Sequence, residues 1–275
     1  MEKYSYSRIN DFMTCPQKFY KKYICHLHPK KKAKPLALGA CMATGIAKFR
    51  EKGKINEAEN AFIAKWEEDG QVLDIKKEAD PLRSVERGLE ILDEYALTYS
   101  DDPETTIEPE IKFDEEIAPG IRFRGRIDGI TDAGGYAIIE DKTTSWLTET
   151  YLKQQRGSYQ ILWYMWVARR LGLFDISKSQ KPKCMLNFLL IHKDKYEFLR
   201  QTIPKTNKEI DQSFNRLISW INLIEICKQK ALFPKQDMAT CLKWGGCEYL
   251  PLRNAIGTIY DSLLKNEYEI REPSK

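Results

Sequence analysis

The sequence predicts a mixed α/β fold in which helices flank a central sheet and an additional helical lobe lies near the N-terminus. Hydrophobic residues make up 42% and charged residues 31% of the 275 residues, which is a globular composition. Helical periodicity dominates roughly the first hundred residues, and strand patterns alternate with helical patterns after them. This order is typical of a mixed sheet covered by helices, and 275 residues suffice for one domain with its own core.

The individual elements follow from periodicity and capping. Val85, Leu89 and Leu92 recur at near-helical spacing among charged residues, and Thr206 with Glu209 forms a capping-box pattern at the start of the last predicted helix. The predicted helices are 5–24, 39–52, 56–69, 81–99, 151–171 and 206–230. The predicted strands are 107–113, 121–130, 136–140, 185–192 and 196–203.

The charge balance is mildly basic, with 44 Lys and Arg against 40 Asp and Glu. This excludes a histone-like polycation but permits a local basic patch. Residues 18–34 contain seven lysines and no acid, with three aromatic residues among them. Such a mixture suits single-stranded nucleic acid, although a charge run is more often a solvated face. Lys18, Lys21 and Lys22 are therefore candidate substrate-binding residues.

The location of the protein is predicted from its cysteines and its apolar segments. Seven cysteines are widely spaced and odd in number, which argues against a disulfide framework. No run approaches the roughly 20 apolar residues that span a bilayer, and the start lacks the apolar segment of a secretory signal. A reducing, cytoplasmic compartment and no membrane partner are expected.

The segment 125–144 carries the candidate chemistry. Residues 132–135 are a turn signal between two β-rich runs, so the segment is predicted to be a hairpin. The midpoint of 128 and 140 falls at residue 134 inside that turn. Asp128 and Glu140 should therefore face each other across adjacent strands, unless a bulge shifts the register by one.

Alternation along the second strand places Glu140 and Lys142 on one face and Asp141 on the other. Two carboxylates held this close repel each other unless a cation lies between them, and a hard divalent ion suits oxygen ligands. A neighbouring lysine can orient a water or stabilise charge on a phosphate. The alternative is a surface hairpin whose charged residues are ordinary solvated side chains.

The helix after the hairpin adds Gln160 and Tyr164, which are four residues apart and so share one face. Tyr164 alone is equally well explained as a core residue, but a buried glutamine needs a polar partner. Gln160 is therefore placed at a polar site.

Taken in order, these residues resemble the motifs of the PD-(D/E)XK nuclease superfamily, in particular its RecB-like branch with CRISPR-adaptation nucleases and phage exonucleases. The matching positions are Asp128, Glu140, Asp141, Lys142, Gln160 and Tyr164. The resemblance runs from about Tyr4 to Leu252 and implies a restriction-endonuclease-like core. It further implies one domain over 1–275, with 39–105 as a helical insertion and with the cysteine-containing segment 231–255 packed near 1–30.

The resemblance also implies roles for these residues. Asp128 and Glu140 would bind Mg²⁺ or Mn²⁺ together with the backbone carbonyl of Asp141. Lys142 would position the attacking water. The glutamine and the tyrosine of the following helix would contact the substrate strand.

The chain departs from the family pattern at a position in an early helix. Family members often have Gly-x-x-x-His there, and the histidine is an extra metal ligand. In this chain Gly39 is followed four residues later by Ala43, so that ligand is missing. We expect an altered metal preference or rate.

A second departure concerns the [4Fe–4S] cluster of many relatives. Cys15, Cys241 and Cys247 match three of its four cysteines, but the fourth position is Arg253. The three cysteines are read as a degenerate cluster site held by ordinary packing, with a cluster or zinc as alternatives. A fourth ligand in those alternatives would have to come from Cys25, His26 or His28.

The expected function is a metal-dependent DNA nuclease, an exonuclease on single-stranded DNA or duplex ends, in a bacterial or phage-infected cell. No pattern for reading base edges is visible, which argues against sequence-specific cutting. One alternative is a non-cleaving DNA-binding module that retains the fold. Another is a subunit that acts with a helicase, recombinase or integrase, since the chain has no phosphate-binding Gly-Lys-Ser/Thr motif of its own.

Overall fold

The structure is a computed structural model, and it describes most of the chain. The described residues are 1–31, 34–70, 84–100, 106–132, 136–173, 182–193, 195–243 and 246–271. The centre of the predicted hairpin turn, at 133–135, and the beginning of the predicted helix 81–99 lie outside them.

Ten helices and eight strands are present in the described ranges. The helices are α1 Tyr6–Thr14, α2 Pro16–Phe19, α3 Lys34–Lys52, α4 Ile55–Gly70, α5 Val85–Thr98, α6 Glu149–Arg156, α7 Tyr159–Arg170, α8 Asn207–Gln229, α9 Met238–Leu242 and α10 Gly257–Glu267. A π-helical turn follows α2 at Tyr20–Ile24. The strands are β1 Glu2–Tyr4, β2 Leu27–Pro29, β3 Thr106–Ala118, β4 Ile121–Asp132, β5 Tyr136–Thr144, β6 Lys183–Ile191, β7 Tyr196–Pro204 and β8 Tyr268–Ile270.

Six of these strands form one mixed sheet. The order β1-β4-β5-β6-β7 combines parallel pairs (β1 with β4, β5 with β6) and antiparallel pairs, and β3 pairs with β4 along its whole length. Residues 121–123 of β4 pair with both β1 and β3, and residues 129–131 pair with both β5 and β3. β1 and β5 therefore share one edge of β4, with an unpaired stretch between them that ends at Asp128.

Helices cover the sheet on both faces. The larger core joins α1, α7 and α8 to one face through buried residues such as Phe123, Trp163 and Ile221. The smaller core joins α3, α4 and α5 to the other face against Leu189 and Ile191. β6 is buried almost continuously because both of its faces are covered. The predicted α/β fold, a mixed sheet flanked by helices, is confirmed.

Two predicted helices are wrong in extent. The predicted helix 151–171 is two helices, because Gly157 ends α6 and Ser158 begins α7 by accepting a hydrogen bond from the Gln160 amide. The predicted helix 5–24 is interrupted at Cys15, whose backbone is extended, and Pro16 then starts α2. Capping residues inside an apolar pattern thus outweighed the continuity of the pattern.

The C-terminal segment contacts the beginning of the chain. The Tyr249 hydroxyl donates a hydrogen bond to the Leu27 carbonyl at 2.6 Å, and Lys18 forms an ion pair with Glu248 at 3.5 Å. These contacts join 231–255 to 1–30, whereas the proposed division into core, insertion and C-terminal segment stays a prediction. Among the described helices, none has the length and apolar composition to cross a bilayer.

Candidate active site

The candidate site lies where β4 and β5 separate. Their pairing register is the one predicted from the hairpin midpoint, with Gly129 opposite Ile139. Just beyond this last pair, the backbone amide of Asp141 donates a hydrogen bond to Asp128 Oδ2 at 2.9 Å. The Asp128 carboxylate, rather than a backbone carbonyl of β4, thus accepts this hydrogen bond from β5. The structure therefore holds Asp128 directly against the strand that carries Glu140.

Glu140 and Lys142 lie on one face of β5, as alternation predicts. Lys142 Nζ donates to Glu140 Oε1 at 2.5 Å and to Gln160 Oε1 at 3.2 Å. Glu140 is only 3% exposed. Glu140 and Lys142 of β5 are thus linked to the side chain of Gln160 in α7, the helix that packs over this face.

The electrostatics of the site favour one more positive charge. Burial, followed by the charge of Glu140, raises the pKa of Asp128 to about 8. Burial also raises the pKa of Glu140, although Lys142 opposes this effect. Burial acts to lower the pKa of Lys142, but the Glu140 carboxylate outweighs it, so the lysine is held in its charged form. Lys142 alone therefore does not compensate for ionising both buried carboxylates.

The donor set fits a divalent metal ion. Glu140 Oε2 is buried and has no hydrogen-bond partner among the described residues. A buried carboxylate oxygen of this kind, beside a second carboxylate, is the type of ligand that Mg²⁺ and Mn²⁺ take. No three Asp, Glu, His or Cys side chains converge as ligands within the described ranges. The protein thus offers two carboxylates here, and main-chain or water oxygens would complete the ligand set.

The side chain of Asp141 points to the opposite face of β5. Both of its oxygens accept hydrogen bonds at 2.7 Å from the two terminal nitrogens of Arg50 in α3, and Asn187 Nδ2 of β6 donates to the same carboxylate at 2.7 Å. The side chains of this ion pair are 4% and 6% exposed. Sequence reasoning found the direction of Asp141 but missed Arg50 and Asn187, because no sequence pattern links residues so far apart.

Gln160 and Tyr164 differ in their surroundings. Gln160 accepts a hydrogen bond from Lys142, and the Tyr164 ring packs edge-on against Phe113 in the larger core. Burial, followed by the charges of Glu140 and Asp128, raises the pKa of the Tyr164 hydroxyl, so this hydroxyl lies near the carboxylates. Gly125 is required beneath these rings, because a Cβ there would lie 2.6 Å from Phe113 Cζ. Substrate contact by Gln160 and Tyr164 stays a prediction.

The candidate lysines are partly engaged within the protein. Lys18 and Lys22 both pair with Asp11, at 2.9 and 2.8 Å. Lys21 lies 5.5 Å from the centre of the Tyr260 ring, and its pKa is lowered by burial and then by the charge of a neighbouring lysine. Binding of DNA by Lys18, Lys21 and Lys22 stays a prediction.

The three candidate cluster cysteines line one cavity of about 300 Å³, together with Lys21 and Arg253. Arg253 Nη1 donates a hydrogen bond to Cys241 Sγ at 2.9 Å. A guanidinium thus lies beside Cys241 where a four-thiolate cluster would need a ligand, so the residues present do not fit the usual four-cysteine [4Fe–4S] site. Cys15 and Cys247, the other two candidate cluster cysteines, line the same cavity as Cys241.

Comparison with protein families identifies the family of the chain. The family model of the PD-(D/E)XK nuclease superfamily matches residues 3–252. The chain therefore belongs to the PD-(D/E)XK nuclease superfamily. A comparison with curated proteins finds no match.

One of three similar solved structures supports the fold. A Eubacterium rectale protein named as a candidate exonuclease is 13% identical to this chain. Its crystal structure superposes with a TM-score of 0.52 over 94% of this chain and 91% of that one. The structure of LHK-Exo in complex with dAMP is 16% identical with a TM-score of 0.29, over 72% and 97% of the two chains. SSO0001 is 14% identical with a TM-score of 0.33, over 69% and 85%. At 13% identity the likeness to the Eubacterium rectale protein concerns the fold alone, and nothing is inferred from the two structures with TM-scores under 0.5.

Proposed function

We propose that this member of the nuclease superfamily is a metal-dependent DNA nuclease that hydrolyses phosphodiester bonds, acting as an exonuclease on single-stranded DNA or duplex ends. The observation that carries the proposal is the convergence of Asp128, Glu140 and Lys142 at the point where β4 and β5 separate. Glu140 Oε2 is left without a hydrogen-bond partner in the described part of the chain. A binding scaffold has no need of this buried arrangement, whereas hydrolysis does.

The metal would be held by Asp128 and Glu140 with the backbone carbonyl of Asp141. When bound, a divalent ion supplies Lewis-acid stabilisation of negative charge on the phosphate oxygens. Asp128 is fixed for this task by the Asp141 amide, and Glu140 Oε1 is fixed by Lys142. The [4Fe–4S] cluster is left out of the proposal, because a guanidinium lies beside Cys241.

Lys142 would orient the attacking water. Its ammonium is held in the charged form by Glu140 and donates to Gln160, so it has a fixed place at the carboxylate site. A charged donor so placed can also stabilise the charge that develops on the phosphate in the transition state. Gln160 would hold the lysine in position or contact the strand itself.

The test uses end-labelled single-stranded and blunt duplex DNA with Mg²⁺ or Mn²⁺, beside a parallel series in EDTA. Lys142→Ala is compared with Lys153→Ala, which removes a surface lysine whose side chain is 68% exposed and forms an ion pair with Glu149 in α6. We expect metal-dependent loss of label in the wild type and in Lys153→Ala, and a loss of activity of at least about 100-fold in Lys142→Ala. The product ladder gives the direction of cleavage.

Intact DNA in every lane, with binding retained, would contradict the proposal and favour the non-cleaving DNA-binding module. A helicase, recombinase or integrase partner stays a prediction, and so does the cytoplasmic location inferred from the cysteines and the apolar segments.

A further inference from the structure

Trp146 is a large aromatic side chain in contact with solvent. It is 74% exposed, and it follows Lys142 by four residues in the chain. Single exposed apolar residues are common and need no explanation. Trp146 differs from them in having an aromatic partner, a fixed backbone and a place just after the strand that carries the candidate catalytic residues.

The aromatic partner is His192, which follows the last residue of β6. The two ring centres are 6.0 Å apart at an angle of 77°, so the histidine packs edge-on against the indole. This contact orients the indole while most of its surface stays in contact with solvent. An aromatic ring held in this way can receive another flat ring at little cost in conformational entropy.

The backbone beneath the indole is fixed by Thr144, the last residue of β5. The Thr144 hydroxyl donates to the Trp146 carbonyl at 3.2 Å and accepts from the Trp146 amide at 3.4 Å. A side chain that bonds its neighbour's backbone in this way stabilises a local turn. Trp146 is therefore attached directly to the end of the strand that carries the candidate catalytic residues.

The two strands that end at this pair carry side chains on the face of the site. Thr144 has the same parity along β5 as Glu140 and Lys142, and it pairs with Leu190 of the parallel strand β6. Leu190 belongs to the larger core on this face, and His192 continues its parity. Both rings thus lie at the carboxyl ends of two adjacent parallel strands, where ligands of open α/β sheets commonly bind.

The distance from the site is limited by the chain. Four residues span at most about 14 Å when fully extended. A nucleic acid strand advances about 3.4 Å per stacked nucleotide. A strand whose phosphate lies at Lys142 would thus bring one of its next few bases within reach of the indole.

We propose that Trp146, oriented by His192, is a stacking site for an unpaired base of the substrate strand. The inference rests on the proposed function and adds to it a preference for single-stranded DNA next to the cleaved bond. Only an unpaired base exposes its faces to a protein ring, since the bases of a duplex already stack on one another.

The test measures binding in EDTA, where no cleavage occurs, by fluorescence anisotropy of a labelled oligothymidine of twelve nucleotides. Trp146→Ala and Trp146→Phe are compared with Ile259→Ala, which removes a side chain 63% exposed on α10. The same proteins are titrated with an abasic strand and a blunt duplex of equal length. Circular dichroism and thermal melting show whether each variant is folded.

We expect Trp146→Ala to weaken binding of the oligothymidine about 10-fold, which is the scale of losing one stacked base. Trp146→Phe should retain most of the affinity, and Ile259→Ala should bind like the wild type. Affinity for the abasic strand and the duplex should change less than about 2-fold in Trp146→Ala, since neither offers an unpaired base.

The inference is overturned if Trp146→Ala binds the oligothymidine as the wild type does. It is equally overturned if Trp146→Ala weakens binding of the abasic strand and the duplex to the same degree, or if the wild type does not bind the oligothymidine. Failure of the nuclease proposal would give a different result. The wild type would leave DNA uncleaved when metal is added, while the base-dependent effect of Trp146 would persist in EDTA.

Discussion

Replacing Arg50 by methionine tests the ion pair beneath the candidate catalytic strand. Arg50 is the buried partner that donates twice to Asp141, and the Asp141 amide in turn orients Asp128. Arg50→Met would leave the Asp141 carboxylate buried without its counter-charge. We expect the free energy of unfolding to fall by about 3–5 kcal/mol, the usual cost of removing one partner from a buried pair.

The measurement is urea-induced unfolding followed by circular dichroism at neutral pH. Lys48→Met is the matched control, because it makes a similar change in the same helix. Lys48 pairs with Glu51 at the surface, with side chains 32% and 44% exposed. Loss of such an exposed pair should change the free energy of unfolding by no more than about 1 kcal/mol.

The double variant Arg50→Met with Asp141→Asn separates charge from packing. Removing the uncompensated carboxylate should restore part of the stability, so the two substitutions together should cost less than the sum of their separate effects. If Arg50→Met alone is too unstable to purify, recovery of a folded double variant would still show that removing the uncompensated carboxylate restores stability. A loss below about 1 kcal/mol in Arg50→Met, or additive costs in the double variant, would refute the buried-charge reasoning.

Two further predictions concern packing and pH. Gly88→Ala should lower the free energy of urea-induced unfolding by about 1–3 kcal/mol, because its Cβ would lie 2.2 Å from Phe62 Cζ. The control Gly39→Ala adds a Cβ with nothing within 4 Å, so it should be neutral or stabilising. Equal effects of the two substitutions would contradict the packing argument. The raised pKa of Asp128, about 8 against a usual 3.8, favours the protonated carboxyl in the folded state. In EDTA its contribution to the free energy of unfolding is therefore fully present below pH 3.8 and is lost as the pH rises through about 8. Urea-induced unfolding at several pH values should show this decline in the wild type but not in Asp128→Asn. Excess Mg²⁺ should make the decline in the wild type smaller. Parallel pH profiles of the two proteins would show that Asp128 is not responsible.

Much of the site could be predicted from the hairpin, because it depends on local geometry. Strand alternation and the midpoint of the turn gave the register that pairs Gly129 with Ile139. They also gave the common face of Glu140 and Lys142 and the opposite direction of Asp141. These relations follow from the two-residue period of a strand and need no knowledge of distant residues.

The helical regions were predicted less well where capping and periodicity disagreed. The pattern from 151 to 171 is apolar enough for one helix, yet Gly157 and Ser158 divide it. This division starts a new helix just before Gln160, the residue that meets Lys142. The sequence contained the capping residues, but their effect depends on how each helix packs against the sheet.

The sequence by itself determined the α/β class, the pairing of β4 with β5 and the face on which the acids and the lysine lie, because each depends on short-range periodicity. Only the tertiary structure decided that Arg50 neutralises Asp141, that Asp11 holds Lys18 and Lys22, and that Arg253 lies beside Cys241. These partners come from different elements. Their pairing is set by packing and by the need of buried charges for a counter-charge, which local sequence patterns do not encode.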